Sequence, residues 1–414
     1  MIQDKPLDKL FDRFVKGSGI FKDRNVLRPS YIPDELPYRE EQMEKLAMIL
    51  GPALQGATPS NILLYGKTGT GKTAVSKYVL NHLVNKAKEI PDLETPLVAY
   101  INCRLVGTSY RVLARLCEAV GTEVPFTGLP TDEVYNIFTS KLDEKEQLLI
   151  VVLDEVDQIV KKNNTTGNDV LYNLTRLNTT LNKARVSIIG ISNDLKFKEL
   201  LDPRVLSSLG DEEVLFHPYS AYELQGILEK RVSMGFNDGV IEPGVINLCA
   251  ALAAREHGDA RRALDLLRVA GELAERRGSD KVTESDVREA QKVIERDTVS
   301  EAIRTLPMQS KLVLFSVYLL MKMNVSEIIT GSVFNVYTEL SEALGMEPLT
   351  QRRIGDLLNE LDMLGLINSK VVSKGRYGRT KIIRLAIPKT QLINILSNDS
   401  RISRLFNFTP KSIK

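Results

Sequence analysis

The stretch NILLYGKTGTGKT, Asn61 to Thr73, decides how the first half of the chain folds. Its apolar beginning has the composition of a buried strand, and the helical segment AVSKYVLNHLV follows it at once. The eight residues from Gly66 to Thr73 match the pattern G-x-x-x-x-G-K-[ST] at every fixed position. The sequence therefore predicts a strand, a phosphate-binding loop and a helix in that order, as in an α/β domain.

Glycines in such a loop let successive backbone N–H groups face a phosphate, while the following helix directs its positive end at the same anion. Lys72 should reach the β- and γ-phosphates, and the Thr73 hydroxyl should ligate Mg²⁺. An ordinary glycine-rich turn would leave Lys72-Thr73 unexplained. ATP or ADP with Mg²⁺ is the expected cofactor, and its expected contacts are Gly66, Lys67, Thr68, Gly69, Thr70, Gly71, Lys72, Thr73 and Ala74.

A second apolar run supplies the acids that this chemistry needs. LLIVVLDEVDQI, Leu148 to Ile159, has the continuous apolar character of a strand covered on both faces, and it ends in Asp154-Glu155. Asp154 is expected to hold Mg²⁺ through water, and Glu155 to polarise the attacking water as a general base. Acids at strand ends are often solvated loop residues, but the phosphate loop upstream favours the functional interpretation.

Three further sites carry groups that could act on the nucleotide. Asn193 ends the strand-like run VSIIGISN, where its amide could orient the attacking water or cap a turn. Arg204 lies in LDPRVLSSLG, and Arg261 and Arg262 lie in HGDARRALDLL. A guanidinium at either place could neutralise charge on the γ-phosphate, although a single exposed arginine is usually solvated. The sequence leaves open which of Arg261 and Arg262 faces the nucleotide.

Composition excludes several other classes of protein. The 414 residues suggest two or three domains, and no run of 18 apolar residues occurs, so a cytoplasmic protein without a membrane partner is expected. The three cysteines are far apart, which argues against disulfides and a zinc site. A balance of 55 Lys+Arg against 53 Asp+Glu is nearly neutral, so nucleic-acid binding must be judged from local charge.

Positive charge is concentrated near the C-terminus, in NSKVVSKGRYGRT, Asn368 to Thr380. Two strand-like runs flank a Lys-Gly-Arg-Tyr-Gly-Arg tip, and three helical patterns precede them, which indicates a winged helix with an outward-pointing basic tip. The third pattern, LTQRRIGDLLNELDMLGLI, begins with Arg352 and Arg353 and has apolar residues at helical spacing up to Leu364. Thr350 could cap this helix or hold a phosphate.

Contact with DNA phosphates is favoured over a winged helix used for protein contact, because a solvated surface usually mixes both signs of charge. The expected DNA contacts in this region are Thr350, Arg352, Arg353, Lys370, Lys374, Arg376, Tyr377, Arg379 and Lys381.

The order of these motifs resembles the AAA+ ATPases. Followed by a basic winged helix, it resembles the archaeal replication initiators related to the eukaryotic origin recognition complex and its helicase-loading relative. The resemblance implies that Asn193 is the first sensor, Arg261 the second sensor in a helical lid, and Arg204 an arginine finger for a neighbouring subunit. It also implies an adenine-side segment with Tyr31 and Ile32.

The resemblance further implies a segment near 102–121 that can touch DNA, where Arg111 is a candidate contact; a basic amphipathic helix on a solvated face would look identical. The expected fold is an α/β AAA+ parallel-sheet domain with an all-helical lid and a C-terminal winged-helix DNA-binding domain. The expected boundaries are an N-terminal arm at 1–24, the nucleotide-binding domain at 25–217, the lid at 218–300 and the winged helix at 301–414.

The function implied is a slow, ATP-dependent initiator that binds double-stranded origin DNA, assembles with other initiator subunits and helps recruit or load the replicative helicase. Two alternatives remain. One is a clamp-loader-like or remodelling ATPase, which a protein partner would stimulate. The other is a DNA-binding regulator in which nucleotide is only a structural ligand.

Overall fold

Five parallel strands form a sheet in the order β2-β3-β4-β1-β5. The structure is a computed structural model that describes residues 19–29, 31–125, 127–162, 164–373 and 379–413. The chain divides into two compact units, Met1–Ala290 and Gln291–Lys414, and the sheet belongs to the first. The strands are β1 Ile62–Gly66, β2 Leu97–Asn102, β3 Leu148–Asp154, β4 Arg185–Ser192 and β5 Glu212–Phe216.

Burial on both faces explains why β3 reads as a continuous apolar run. Ile150 and Val152 pack into one core, with residues of β1 and of the helix after the phosphate loop. Leu149, Val151 and Leu153 pack into a second core on the opposite face. Because the strands are parallel and in register, β1, β3 and β4 end side by side at one edge of the sheet. This edge therefore brings together polar residues that are distant in sequence.

Helices cover the sheet and continue as a helical segment after β5. The helices up to β5 are α1 Glu40–Leu50, α2 Lys72–Lys88, α3 Cys103–Val106, α4 Ser109–Ala119, α5 Thr131–Lys145, α6 Asp157–Lys162, α7 Asn164–Thr175, α8 Phe197–Leu200 and α9 Pro203–Leu209. The later helices are α10 Ala221–Gly235, α11 Val245–Arg255, α12 Ala260–Arg277 and α13 Glu284–Thr305. Short 3-10 helices lie at Asn25–Leu27, Gly51–Gln55, Leu177–Thr179, Ser403–Leu405 and Lys411–Ile413.

The helical segment ends in one long helix. The stretch RDTVSEAIRTLP, residues 296–307, falls largely within α13, which runs without interruption from Glu284 to Thr305. No glycine or proline occurs in this range before Pro307, so nothing in the backbone terminates the helix earlier.

The second unit is a winged helix, and the expected fold class is confirmed. Its elements are α14 Met308–Lys322, α15 Thr330–Ala343, α16 Gln351–Met363, β6 Ile367–Ser373, β7 Arg379–Leu385 and α17 Lys389–Leu396. Strands β6 and β7 pair antiparallel as a hairpin. Within the residues described, no helix of the protein is both long and apolar enough to cross a membrane.

Helix α16 buries the stripe that its spacing predicts, with one exception. Ile354, Leu357, Leu358 and Leu361 are buried, whereas the side chain of Leu364 is 51% exposed. Leu364 lies just beyond the end of the helix, where Gly365 turns the chain with φ 68° and the next residue enters the core instead. The helical period therefore no longer applies at this position.

Candidate functional site

A cleft of about 780 Å³ opens at the carboxyl edge of the sheet, between the phosphate loop and the helical segment. The residues predicted to contact the nucleotide that line it are Tyr31, Ile32, Thr68, Gly69, Thr70, Gly71, Lys72, Thr73, Ala74, Asp154, Glu155, Asn193 and Arg261. Gly66 and Lys67 begin the loop and are not among the lining residues. The fold thus collects in one cavity side chains that are more than two hundred residues apart in sequence.

The phosphate loop has the backbone shape that its glycines allow. Gly69 and Gly71 have φ of 73° and 92°, a left-handed conformation that is costly for other residues. A Cβ on Gly69 would also lie 1.7 Å from Asp259 Oδ1. Lys72 Nζ donates to the carbonyl oxygens of Gly66 at 2.8 Å and Lys67 at 2.7 Å. Burial lowers the pKa of Lys72 to about 8, so an anion at this loop would favour its charged form.

The oxygen atoms expected at a magnesium site lie together. Thr73 Oγ1 donates to Asp154 Oδ2 at 3.0 Å, and the Tyr100 hydroxyl donates to the same oxygen. Asp154 Oδ1 accepts from the Glu155 N–H at 2.9 Å. Burial, and then the neighbouring Asp154 charge, raise the pKa of Tyr100, so its phenol stays a neutral donor. A hydroxyl and a carboxylate next to a phosphate loop fit Mg²⁺, which prefers oxygen ligands.

Glu155 adopts a left-handed backbone conformation with φ 53°, which is uncommon for a residue with a side chain. Its carboxylate lies at the cleft, and Arg104 Nη1 on α3 is 3.9 Å from its Oε2. Uncommon backbone conformations of this kind concentrate at functional sites, where the surrounding structure enforces them. The arrangement places an acid at the cleft, directly after Asp154 in sequence.

Asn193 lines the cleft immediately after β4, and the residues on both sides of it are held to α6. Ser192 Oγ donates to Asp157 Oδ1 at 3.2 Å. Lys161 Nζ lies 2.7 Å from Asp194 Oδ2 and 3.2 Å from Asp157 Oδ2. Because these contacts fix the chain on either side, the position of Asn193 is tied to the helix that follows the strand-end acids.

The two adjacent arginines of α12 have different surroundings. Arg261 lines the cleft, whereas Arg262 Nε donates to Glu256 Oε2 at 2.7 Å, outside the lining of the cleft. Asp259 caps the helix by accepting the Arg261 N–H at 2.7 Å. The Ala260 N–H donates to Gly69 O at 3.1 Å, which joins the start of α12 to the phosphate loop. Of the two adjacent arginines, Arg261 is therefore the one that lies at the cleft.

Sequence reasoning missed Arg39, which supports the phosphate loop from behind. This buried side chain donates to Thr70 O at 2.8 Å and to His217 O at 2.7 Å, and its guanidinium lies 3.7 Å from the ring centroid of Tyr219. Burial lowers the pKa of Arg39. The only available signal was its place in the stretch YIPDELPYREEQ, residues 31–42, which continues the adenine-side segment that was interpreted through Tyr31 and Ile32 alone.

Tyr31 and Ile32, the residues expected on the adenine side, form part of a partly apolar wall of the cleft. The Tyr31 ring packs under the Arg231 guanidinium at 4.7 Å, and Arg231 donates to Val26 O at 3.2 Å. Ile32 is also at this wall and is partly exposed. An aromatic ring fixed at the edge of a cleft can pack against a purine.

Arg204 is not among the residues that line this cleft. It begins α9, where its Nε and Nη2 donate to the two carboxylate oxygens of Asp202 at 3.1 and 2.9 Å. Its guanidinium also lies 4.8 Å from the ring centroid of Tyr172, and its side chain is 65% exposed. An exposed guanidinium held in a fixed direction can be presented to a second molecule.

In the winged helix, the start of α16 carries exposed positive charge. Thr350 caps the helix by accepting the Arg353 N–H at 3.4 Å, so the structure realises its capping role. Arg352 is exposed, and within the described residues it takes part in no ion pair. Arg353 is 3.8 Å from Asp356 and 3.7 Å from Glu360. Nearby carboxylates therefore partly neutralise the charge of Arg353, whereas the charge of Arg352 has no such ion pair among the described residues.

The hairpin divides its cations between its two faces. Lys370 is exposed and pairs with Ile382, one residue along from the Val371–Lys381 pair, so Lys370 and Lys381 lie on opposite faces. Lys381 Nζ contacts Asn359 Oδ1 of α16. The predicted contacts Lys374, Arg376 and Tyr377, and the side chain of Arg379, lie outside the described residues. In the first unit, Arg111 is exposed on α4.

Comparison with known proteins matches three parts of the chain to protein families. Residues 55–199 match an AAA domain, residues 225–292 a Cdc6 AAA+ ATPase-type lid domain, and residues 301–394 a CDC6 C-terminal winged helix domain. The AAA domain and the two Cdc6-type domains occur in the order that the motifs predict.

Similar proteins of known name span almost the whole chain. An ORC1-type DNA replication protein of Pyrococcus abyssi is 57% identical over 98% of this chain and 96% of its own length. ORC1-type DNA replication protein 1 of Methanosarcina mazei is 53% identical over 99% of this chain and 98% of its own. The solved structure of the Aeropyrum pernix ORC1 protein in complex with DNA is 49% identical, with a TM-score of 0.86 over 94% of this chain and 99% of that one. The resemblance found in the motifs is therefore confirmed, and the chain belongs to the archaeal ORC1-type DNA replication proteins, AAA+ ATPases with a Cdc6-type lid and winged helix.

Proposed function

We propose that this protein is an ATP-dependent replication initiator that binds duplex DNA at replication origins and uses slow ATP hydrolysis as a switch. In this proposal it is associated with the nucleoid and helps to recruit or load the replicative helicase. The observation that carries the proposal is a cleft with phosphate-loop, metal-type and sensor-type residues in a chain whose winged helix begins α16 with exposed arginines. The relative solved in complex with DNA supports the DNA part.

In the cleft, the loop N–H groups and Lys72 bind the phosphates of ATP. Thr73 and Asp154 hold Mg²⁺, which neutralises charge on the β- and γ-phosphate oxygens. Glu155 accepts a proton from the attacking water, and Asn193 orients that water. Arg261 binds the γ-phosphate and thereby joins the nucleotide to the helical lid, so the position of the lid depends on whether ATP or ADP is bound.

Slow turnover follows from the position of Arg204. This guanidinium does not line the chain's own cleft and is bonded to Asp202. Within its own chain, Arg204 is therefore not placed to stabilise transition-state charge on the nucleotide, as an arginine finger does in fast phosphoryl transfer. We propose that Arg204 completes the cleft of a neighbouring initiator subunit assembled on the same DNA. ATP then acts mainly as a bound ligand in the isolated protein.

For DNA binding, the start of α16 enters the major groove, where Arg352 contacts a base edge or phosphate. Lys370 and the basic tip of the hairpin contact the backbone. Arg111 on α4 is a further proposed backbone contact of the first unit. Arg111, Arg352 and Lys370 are exposed, so the affinity should fall steeply with salt as counterions are released.

The test is fluorescence anisotropy with duplexes tiled across candidate origins of the source chromosome, with ATP, with ADP and without nucleotide, against scrambled competitors. A preference for a few duplexes that is lost on Arg352→Ala supports an initiator that reads DNA. Equal, salt-sensitive binding to every duplex contradicts it and favours a remodelling ATPase that uses the basic wing as a non-specific tether.

A further inference from the structure

We propose that Tyr100 is a positioning residue for the metal carboxylate Asp154 and sets how much Mg²⁺ the protein needs to bind ATP tightly. The inference rests on the proposed function, because it takes Thr73 and Asp154 as the groups that hold the metal. No motif identifies Tyr100, which lies on β2, more than fifty residues before Asp154 in sequence.

Strand register brings Tyr100 to this place. Strands β2 and β3 run parallel with Tyr100 opposite Val152 and Asn102 opposite Asp154. Side chains alternate along a strand, so Tyr100, Val152 and Asp154 project from the same face of the sheet. That face is covered by α2, the helix that begins with Lys72-Thr73. Tyr100 is opposite Val152, two residues before Asp154, so its hydroxyl reaches the carboxylate along the face of the sheet.

All the donors to Asp154 that the structure gives can be assigned. Oδ1 accepts the Glu155 N–H at 2.9 Å, and Oδ2 accepts the hydroxyls of Thr73, at 3.0 Å, and Tyr100. Of the two hydroxyls on Oδ2, Thr73 is the one that the phosphate-loop motif assigns to the metal. Tyr100 is free of that task, and its hydrogen bond to Asp154 Oδ2 fixes the direction in which the carboxylate points.

The Tyr100 ring is itself held from two sides. The backbone of Tyr100 is part of β2 in the sheet. Lys77, one turn beyond Thr73 on α2, places its Nζ 4.4 Å from the centroid of the Tyr100 ring. A cation over the face of an aromatic ring stabilises that ring position. Lys77 and Tyr100 both line the cleft. The hydroxyl is thus pre-oriented before any ligand arrives, which is what a support for a metal ligand requires.

Support of this kind has a characteristic energetic effect. Groups that hydrogen-bond to a metal ligand typically change metal affinity by roughly 10- to 100-fold when they are removed. Asp154 is expected to act through water, so we expect the lower end of that range, about tenfold. Binding of ATP without metal does not use Asp154 and should be nearly unaffected.

The experiment is Tyr100→Phe in the full chain, because phenylalanine keeps the ring and removes only the hydroxyl. Binding of a fluorescent ATP analogue is titrated against Mg²⁺, with an EDTA sample as the metal-free reference. We expect the Mg²⁺ concentration at half-maximal enhancement to rise about tenfold, while the affinity in EDTA changes less than about twofold. Tyr78→Phe is the matched control, since Tyr78 lies on α2 at the edge of the same core and packs against His82; its midpoint should match the parent.

Two results overturn the inference alone: a Tyr100→Phe midpoint equal to that of the parent, or an equal loss of affinity in EDTA, which would indicate a merely structural hydroxyl. Asp154→Asn separates these from failure of the proposed function. If that variant keeps the full Mg²⁺ enhancement, or if the parent shows none, the proposed metal site is wrong and the inference fails with it.

Discussion

The cleft and the proposed DNA-binding part of the winged helix hold their charged groups in opposite ways. In the cleft, Lys72 and Asp154 are 4% and 7% exposed, and each already has partners from the protein. In the winged helix, Arg352 and Lys370 are exposed. Under the proposed function, groups that act on a small ligand are fixed by packing beforehand, whereas groups that meet a long polyanion are left in solvent.

The two environments also differ in how strongly charges act. In a cleft from which water is largely excluded, a single group can change a rate or an affinity by orders of magnitude. At an exposed surface, salt screens each charge within about 10 Å, and affinity is a sum of many small terms. Substitutions in the cleft should therefore have large, salt-insensitive effects, and those in the winged helix smaller effects that depend on salt.

Glu155→Gln should have the largest effect. Removal of the general base should lower single-turnover ATP hydrolysis by about 100-fold or more, while ATP binding and DNA binding persist, because the loop and α16 are intact. The matched control is Glu144→Gln, an exposed acid on α5 whose ion pair is with Lys141. Normal hydrolysis by Glu155→Gln would instead favour the alternative in which nucleotide is a structural ligand.

Arg261→Ala and Arg262→Ala compare two neighbours of which one lines the cleft. Arg261→Ala should weaken ATP binding about tenfold or more, the worth of a charge-assisted hydrogen bond of roughly 1.5–3 kcal/mol. Arg262→Ala breaks the ion pair with Glu256 and should lower the melting temperature slightly with little change in ATP affinity. Calorimetric titration and thermal unfolding measure both quantities. Equal affinities for the two variants would contradict the assignment of Arg261 to the cleft.

Arg352→Ala tests the exposed region. Loss of one phosphate contact should reduce the slope of log affinity against log salt by about 1, and loss of a base contact should also relax sequence preference. Lys389→Ala removes the same charge from α17 of the same unit and is the control. Arg353→Ala should have a smaller effect, because Asp356 and Glu360 lie within 4 Å of that guanidinium. The slope is measured by fluorescence anisotropy. If Arg352→Ala has the same slope as the parent protein, the proposal that α16 contacts DNA is contradicted.

The parts of this molecule that could be predicted from sequence are those whose residues are adjacent in the chain. The phosphate loop and Asp154-Glu155 are each a short run whose geometry follows from a single strand end, so the spacing of residue types is enough to indicate them. The winged helix was likewise predicted from its order of patterns, because each of its elements keeps its own period. The fold class therefore followed from local signals and the resemblance that they support.

Contacts between distant elements could not be predicted in this way. Tyr100 reaches Asp154 through the register of β2 on β3, and Arg39, just before α1, reaches Thr70 across more than thirty residues of sequence. The choice between Arg261 and Arg262 depends on the rotation of α12, since adjacent residues on a helix point about 100° apart. Each of these facts depends on tertiary packing, which residue spacing does not record.

Arg104→Ala should have the smallest effect of these substitutions. It tests a case between the two environments, because Arg104 is an exposed cation that contacts a group of the cleft. Its guanidinium is 3.9 Å from the Glu155 carboxylate, and its side chain is 70% exposed. A pair of this kind is worth at most about 1 kcal/mol, so freeing Glu155 should raise hydrolysis without DNA by no more than about fivefold. Arg115→Ala, which removes the same charge from α4 and whose ion pair is with Glu118, should leave hydrolysis unchanged. If Arg104→Ala instead lowers hydrolysis, the arginine orients Glu155 for reaction, and a solvent-exposed group would then belong to the machinery of the cleft.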